Sequence, residues 1–344
     1  MRALTLPHPG GIELLELREM PRPTLDAPTD VLVRITAAAL NRLDLFVVGG
    51  LPHTNPSWPH IMGSDGVGTV AAVGSAVRDF KPGDRVLINP GISCRSCPAC
   101  EAGEQPYCRQ FRILGEHLPG TLAELVVVPA ANVRPAPAGF SMPEAAAFGL
   151  ATLTAWRMLM TRAGLQSGET VLVWGAGGGV AQAAIQVARL AGARVIATSS
   201  SDAKLALATR LGADVTLRHD QGDVARQVRA LTGVGAEVVV DTVGEATWPE
   251  SLRALRPGGR LVTCGATSGP QVALDLRKLF WFQWSLLGST MGNDAEFDAI
   301  VQHANQGELR PVIDSVVPLA EAPAAFARLA SGHQAGKLVI EVDS

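Results

Sequence analysis

The sequence predicts an α/β protein in which a doubly wound parallel sheet is joined to a second, β-rich unit. Three observations carry this expectation. Between residues 169 and 263, β-branched runs alternate with amphipathic helical segments, the pattern of a parallel sheet covered by helices on both faces. The first 130 residues instead hold short β-like runs punctuated by Gly and Pro: "DVLVRITAAAL", "GVGTVAAVG", "GDRVLINPG" and "AELVVVPA". These read as an all-β, partly barrel-like unit. Finally, the chain has 344 residues, past the size at which single cores usually split.

Each segment supports its element. "MPEAAAFGLATLTAWRMLM", from residue 142, is helical. "TVLVW" leads through a glycine turn into the helix-like "VAQAAIQVARLAG", and "ARVIATS" precedes the helical "DAKLALATRLG". "ADVTLRH", "DVARQVRALTG", "AEVVVDTVG", "PESLRALRPGG" and "RLVTCG" continue the alternation. The run "FWFQWSLLGSTMG" is too apolar for an exposed strand. It fits either a strand pairing across a subunit boundary or a buried inner strand. "AEFDAIVQHANQG" reads as a helix and "GKLVIEV" as the last strand.

Bulk properties exclude several classes. A net charge of −3 provides no basic field for nucleic acid or an anionic membrane. The N-terminus has no continuous apolar segment of a signal peptide, and no stretch offers 18 uninterrupted apolar residues. The expectation is a soluble cytoplasmic protein with reduced thiols.

Four of the five cysteines, Cys94, Cys97, Cys100 and Cys108, fall within "CRSCPACEAGEQPYC". Four thiolates at this spacing close a tetrahedral zinc site, and four protein ligands leave no position for water or substrate. Such a zinc is structural. An iron–sulfur reading lacks the following Cys-Pro, since Cys108 precedes Arg109. Disulfides or uncombined thiols are the remaining alternatives.

The glycine cluster Gly175, Gly177, Gly178 and Gly179 stands between a strand and a helix. Glycines there let a phosphate approach the backbone, and the helix N-terminus presents N–H groups and a positive dipole end. G-x-G-x-x-G fails literally because Val180 holds the third position, whereas Gly175, Gly178 and Ala181 fit G-x-x-G-x-x-A. An acidic residue at the end of the second strand would favour NAD. Here the strand ends Thr198-Ser199-Ser200-Ser201, with Lys204 and Arg218 near enough in sequence to serve a 2′-phosphate. NADPH is the expected cofactor, with NADH possible.

Taken together, the chain resembles the medium-chain dehydrogenase/reductase superfamily over essentially its whole length. The resemblance rests on "DVLVRITAAALNRLD", "GSDGVGTVAAVGSAVRDFKPGDRV", the cysteine lobe, "GTLAELVVVPAANV", "TAW", the glycine turn, "DTVG", "LRPGGRLVTCG" and "GKLVIEV". It implies a GroES-like catalytic domain over 1–150 carrying the cysteine lobe, a Rossmann domain over 151–290, and a return to the first domain over 291–344. It also implies a small-molecule substrate and a homodimer or homotetramer. Zinc-type alcohol dehydrogenases of this superfamily hold a catalytic zinc at three positions that align with Asn41, Ser64 and Leu150. None of these is a suitable ligand. "NRLD" and "GSDG" instead resemble the zinc-free quinone reductases.

Without a metal to polarise a carbonyl, hydride transfer needs an already electrophilic acceptor, such as a quinone or conjugated enone. Asn41 is the expected oxyanion donor or nicotinamide-ribose contact. Thr154 resembles the family's nicotinamide-contacting threonine. Gly265, Ala266 and Thr267 are expected to border the nicotinamide, and Val180 and Lys337 complete the cofactor set. Asp44 and Asp65 are expected first to bond backbone near the cleft, with proton transfer the lesser reading for both, and Asp44 joins Asn41 and Thr154 as a catalytic candidate. His60 and His117 are acid/base candidates. The only tyrosine, Tyr107, lies in the cysteine loop, which counts against reductases that use a tyrosine proton donor. Two rival readings are an alcohol dehydrogenase with zinc held by Asp44, His60, Asp65 or Glu116, and a non-catalytic NADPH-binding protein.

Overall fold

A computed structural model describes residues 1–52 and 54–342. The chain divides into two compact units, one formed by Met1–Ala151 with Gly292–Ser344 and the other by Thr152–Met291.

The first unit is organised on the strand Asp30–Ala39. Val31, Val33 and Ile35 are buried while Leu32 and Arg34 reach toward solvent, the period-2 alternation of a half-covered strand. From Ala37 onward every residue is buried, and three successive alanines let neighbours close in on both faces. Asp65–Val73 pairs antiparallel on one side, with Asp65 opposite Ala39. Lys337–Glu341 pairs antiparallel on the other, with Val339 opposite Ala39. The sheet runs Val133–Pro135, Arg85–Ile88, Asp65–Val73, Asp30–Ala39, Lys337–Glu341, Ile313–Pro318, and Leu125–Pro129 also pairs with the central strand. This register brings residues 41, 65 and 337 to one end of the same sheet. The apolar core beneath it includes Leu4, Val33, Ile35, Val86, Ile88 and Phe326. Truncating a buried residue such as Ile35 to Ala costs about 2–5 kcal/mol.

The second unit is a six-stranded parallel sheet in the order Val215–Arg218, Arg194–Ser199, Thr170–Val173, Ala236–Val240, Leu255–Thr263, Ser285–Gly288. In chain order this is 3-2-1-4-5-6, whose order reverses beside the first strand and opens a crevice for a dinucleotide. Val171, Leu172, Val173, Val195 and Ile196 are fully buried, because helices cover both faces.

"FWFQWSLLGSTMG" is not an inner strand. Its first part belongs to the helix Leu276–Phe282, and Ser285–Gly288 is an edge strand. Leu276, Phe280 and Trp281 are 65–75% exposed, so its apolarity is not explained by burial within this chain. Among the described residues no helix is long and apolar enough to cross a membrane.

Candidate active site

The cysteine lobe is assembled locally. Cys97 precedes the short helix Pro98–Glu101, which carries Cys100, and Cys108 follows the 3-10 turn Gln105–Tyr107. The Sγ atoms of Cys94 and Cys100 are 3.9 Å apart, those of Cys97 and Cys100 3.6 Å, and those of Cys94 and Cys108 3.5 Å. Four sulfurs placed about 2.3 Å from one ion stand about 3.8 Å from each other, so the group fits tetrahedral zinc. It is too open for disulfides, whose sulfurs are about 2 Å apart. Among the described residues it is the one group of three or more Cys, His, Asp or Glu ligand atoms gathered within 4.8 Å. Asp44, His60, Asp65 and Glu116, the candidates for a rearranged zinc site, form no second such group. Arg95, between the first two cysteines, pairs with Asp294 and donates to Asn132 at 2.9 Å.

Two of the three positions aligned with zinc ligands, Asn41 and Leu150, come together around a carboxylate, that of Asp65. Asp65 is fully buried. Its Oδ1 accepts the Leu150 amide at 2.7 Å, and its Oδ2 accepts Asn41 Nδ2 at 3.0 Å and Lys337 Nζ at 3.0 Å. Lys337 Nζ also donates to Asn41 Oδ1. Gly149 permits the approach, because a Cβ there would lie 2.8 Å from Asp65 Oδ1. Ser64 turns away and donates to the Leu114 carbonyl at 2.7 Å. Asn41 Nδ2 has its second contact at Ala39 O, 3.3 Å away. The Asn41 amide is thus engaged at both ends, and the oxyanion-donor role expected of it finds no uncommitted N–H in this structure. Lys337, expected to contact cofactor, is 4% exposed and serves as counter-ion to Asp65.

Two carboxyls nearby are poorly compensated. Asp44 Oδ2 accepts the Asn41 amide at 2.7 Å, but Oδ1 is buried with no hydrogen-bond partner. Burial pushes its pKa up to about 7 against the opposing Asn41 hydrogen bond. Burial also pushes Glu116 up to about 7 and depresses the protonation of His60 and His117.

In the second unit the strand Thr170–Val173 runs into Gly175, which needs φ +70°. Gly178 caps the helix Gly179–Leu190 without a side-chain hydrogen bond, so the first-turn amides at Gly179 and Val180 face outward as an anion site. Lys204 lies across Gly177, where a Cβ would stand 2.5 Å from its Cδ and 3.0 Å from its Nζ. A side chain at Gly177 would displace the lysine, so the glycine lets this ammonium lie beside the turn, where it suits an anion. Ser199 is buried and accepts the Ser201 amide, while Ser200 is exposed. Arg218 is held bidentately by Asp220 and also by Asp202 at 2.8 Å. Gly265, Ala266 and Thr267 lie against the loop after the fourth strand, with Thr267 N donating to Thr242 O at 3.4 Å. That loop is pinned by Asp241, which accepts from Val243 N, Gly244 N, Thr247 Oγ1 and Ser251 Oγ. Thr154 Oγ1, on the helix Met142–Trp156, is buried without a partner.

Comparison with known proteins agrees with this architecture. Residues 27–138 match the alcohol dehydrogenase GroES-like domain, and residues 179–306 match the zinc-binding dehydrogenase domain. A solved NAD-dependent alcohol dehydrogenase superposes with a TM-score of 0.96 at 44% identity, covering 99% of this chain and 100% of that one. A quinone oxidoreductase of Pseudomonas aeruginosa is 34% identical over 96% of each chain. An acryloyl-coenzyme A reductase of Metallosphaera sedula is 30% identical over 97% of each. The chain belongs to the medium-chain dehydrogenase/reductase superfamily, among zinc-type alcohol dehydrogenase-like and quinone oxidoreductase proteins, and is an NAD(P)-dependent oxidoreductase.

Proposed function

We propose that this enzyme is an NADPH-dependent reductase of quinones, conjugated enones or similarly activated carbonyls, such as unsaturated thioesters, and that it works without a catalytic zinc. The carrying observation is the closed Asn41–Asp65–Lys337 network, which engages Asn41, one of the positions aligned with the zinc ligands of zinc-type relatives. Asn41, Ser64 and Leu150 offer no thiolate or imidazole, and the remaining donors are engaged with one another. A bound nicotinamide supplies the hydride. The chain's own part is to hold the pyrophosphate on the first-turn amides at Gly179 and Val180, to offer Thr154 Oγ1 to the nicotinamide, and to border it with Gly265–Thr267. Names borne by relatives, quinone oxidoreductase and acryloyl-coenzyme A reductase, support an acceptor already polarised by conjugation.

For the cofactor, Ser199 in place of a strand-end carboxylate and the nearby Lys204 support NADPH. The carboxylate pairs of Arg218 favour NADH as a second reading, because a 2′-phosphate would have to compete with Asp202 and Asp220. Parallel titrations with both nucleotides, in wild type and Lys204→Ala, decide between them. The main reading is tested by metal analysis together with NADPH oxidation against quinones, enones and aldehydes. One zinc per chain and turnover of conjugated acceptors are expected. Two zincs, or activity confined to simple aldehydes and alcohols, would overturn it. The open edge strand Ser285–Gly288 and the exposed Phe280 and Trp281 support assembly as a homodimer or homotetramer, and Trp281→Asp is expected to lower the sedimenting mass.

A further inference from the structure

The first unit is built from separate stretches of chain, 1–151 and 292–344. The second stretch opens with a capped helix, Asp294–Asn305, which is tied to the first stretch at its start, its middle and its end. At the start, the Asp294 carboxylate pairs with Arg95, and the Asp294 amide donates to Gln105 Oε1 at 3.4 Å. In the middle, Asp298 pairs with Arg134. At the end, Asn305 Oδ1 accepts the Ala138 amide at 3.1 Å. The tie at the start comes from the cysteine lobe and draws on both of its halves. Arg95 stands between Cys94 and Cys97, and Gln105 between Cys100 and Cys108.

Arg95 has φ +63°, a left-handed conformation that such a residue keeps only where its surroundings impose it. Cys94 directly before it and Cys97 two residues after it, bound to one ion, would impose it. From that backbone the guanidinium also donates to Asn132 Oδ1 at 2.9 Å. Asn132 is fully buried and donates in turn to the carbonyls of Asn89 and Gly91. Arg95 therefore bridges a fixed point of the first stretch and the start of the second. Gln105 is 8% exposed and lies in the 3-10 turn that leads into Cys108. It takes the first amide of the helix, one of the N–H groups that a helix start leaves without an intrahelical acceptor. The Asn293 cap takes another, from Glu296 N at 2.8 Å.

We propose that the cysteine lobe is a metal-set clasp on the returning chain. Zinc on the four sulfurs orders Arg95 and Gln105, and these side chains hold the first turn of the helix Asp294–Asn305. The last turn is held from outside the lobe, through Asn305. The clasp is independent of the acceptor that the enzyme reduces.

Hydrogen exchange read by mass spectrometry tests this on zinc-loaded wild type, on the same protein stripped by a chelator, and on zinc-loaded R95G and R95G/Q105A. Glycine adopts a positive φ without strain, so R95G leaves the turn between the cysteines intact and removes the guanidinium. Both variants should keep about one zinc per chain by metal analysis. Stripping zinc from wild type should raise exchange over 293–297 about tenfold, the worth of a lost charge-assisted bond, with 302–306 unchanged. R95G should show part of this rise with its zinc still bound, and R95G/Q105A all of it. Stripping the double variant should then add nothing over 293–297. Unchanged protection there in stripped wild type, or in zinc-loaded R95G/Q105A, would overturn the clasp. If stripping opens the whole first unit, the zinc-loaded variants decide, since opening confined to the helix start supports the clasp and its absence sinks it. A wild type that binds no zinc, or a variant that loses it, also overturns the proposal.

Discussion

The cysteine lobe and the Asn41–Asp65–Lys337 centre lie in the same unit and solve a similar problem, charge concentrated at one point, in opposite ways. In the lobe, four sulfurs stand 3.5–3.9 Å apart along the measured edges, a set that could hold a divalent ion such as zinc. At the centre the chain brings its own cation. Lys337 reaches Asp65, and an amide side chain and a backbone N–H satisfy the remaining lone pairs. Gathered residues are therefore not enough to make a metal site. What decides is whether charge is left uncompensated once the protein's own donors are counted.

Breaking the lobe should have the largest effect. Cys100→Ala is expected to reduce bound zinc from about one per chain to none, and to expose residues 94–108 to proteolysis, read by metal analysis and limited digestion. Retention of zinc by this variant would mean that the lobe is not the site. Next in size is Lys337→Met, which leaves Asp65 buried without its counter-ion and should cost about 3–5 kcal/mol in denaturant unfolding. The double variant with Asp65→Asn should recover much of that loss, and failure to recover would show that the pair is not coupled as drawn.

Asp44 sharpens the comparison through pH. Its folded pKa is raised to about 7, against about 3.9 in the unfolded chain. The stability tied to its neutral form is thus fully present below about pH 4 and is lost as pH rises through about 7. Asp44→Asn should flatten this slope, worth roughly 2–4 kcal/mol, in melts across that range. Ser64→Ala should do least, about 1 kcal/mol for the bond to Leu114, with zinc content unchanged. A lost metal in Ser64→Ala would reinstate a second site.

Several of these features were legible before any fold was known, and their common property is locality. The cysteine spacing lies within 15 residues, and the glycine turn sits between an apolar strand and a helix. The long β/α alternation declares its sheet by pattern alone. Asn41 shows where legibility stops. Its position was identifiable, but its role depends on Lys337, 296 residues away, and on a strand register that places the two side by side. The chain has only four lysines among 29 basic residues. Lys204 over Gly177 and Lys337 over Asp65 are two of them. The helix at Leu276–Phe282 was missed for the opposite reason, because apolarity alone does not separate a helix from a strand in a short run.

By itself the sequence determined the fold class, the four-cysteine lobe, the glycine turn and the absence of thiolate and imidazole at positions 41, 64 and 150. These follow from residue identity and short spacing. Only the tertiary structure decided that Asp65, Lys337 and Asn41 close on one another. The same holds for Asp44 and Glu116, which keep their protons to near neutrality. Contacts between distant strands and the exclusion of water are properties of the packed chain, and no local stretch of residues encodes them.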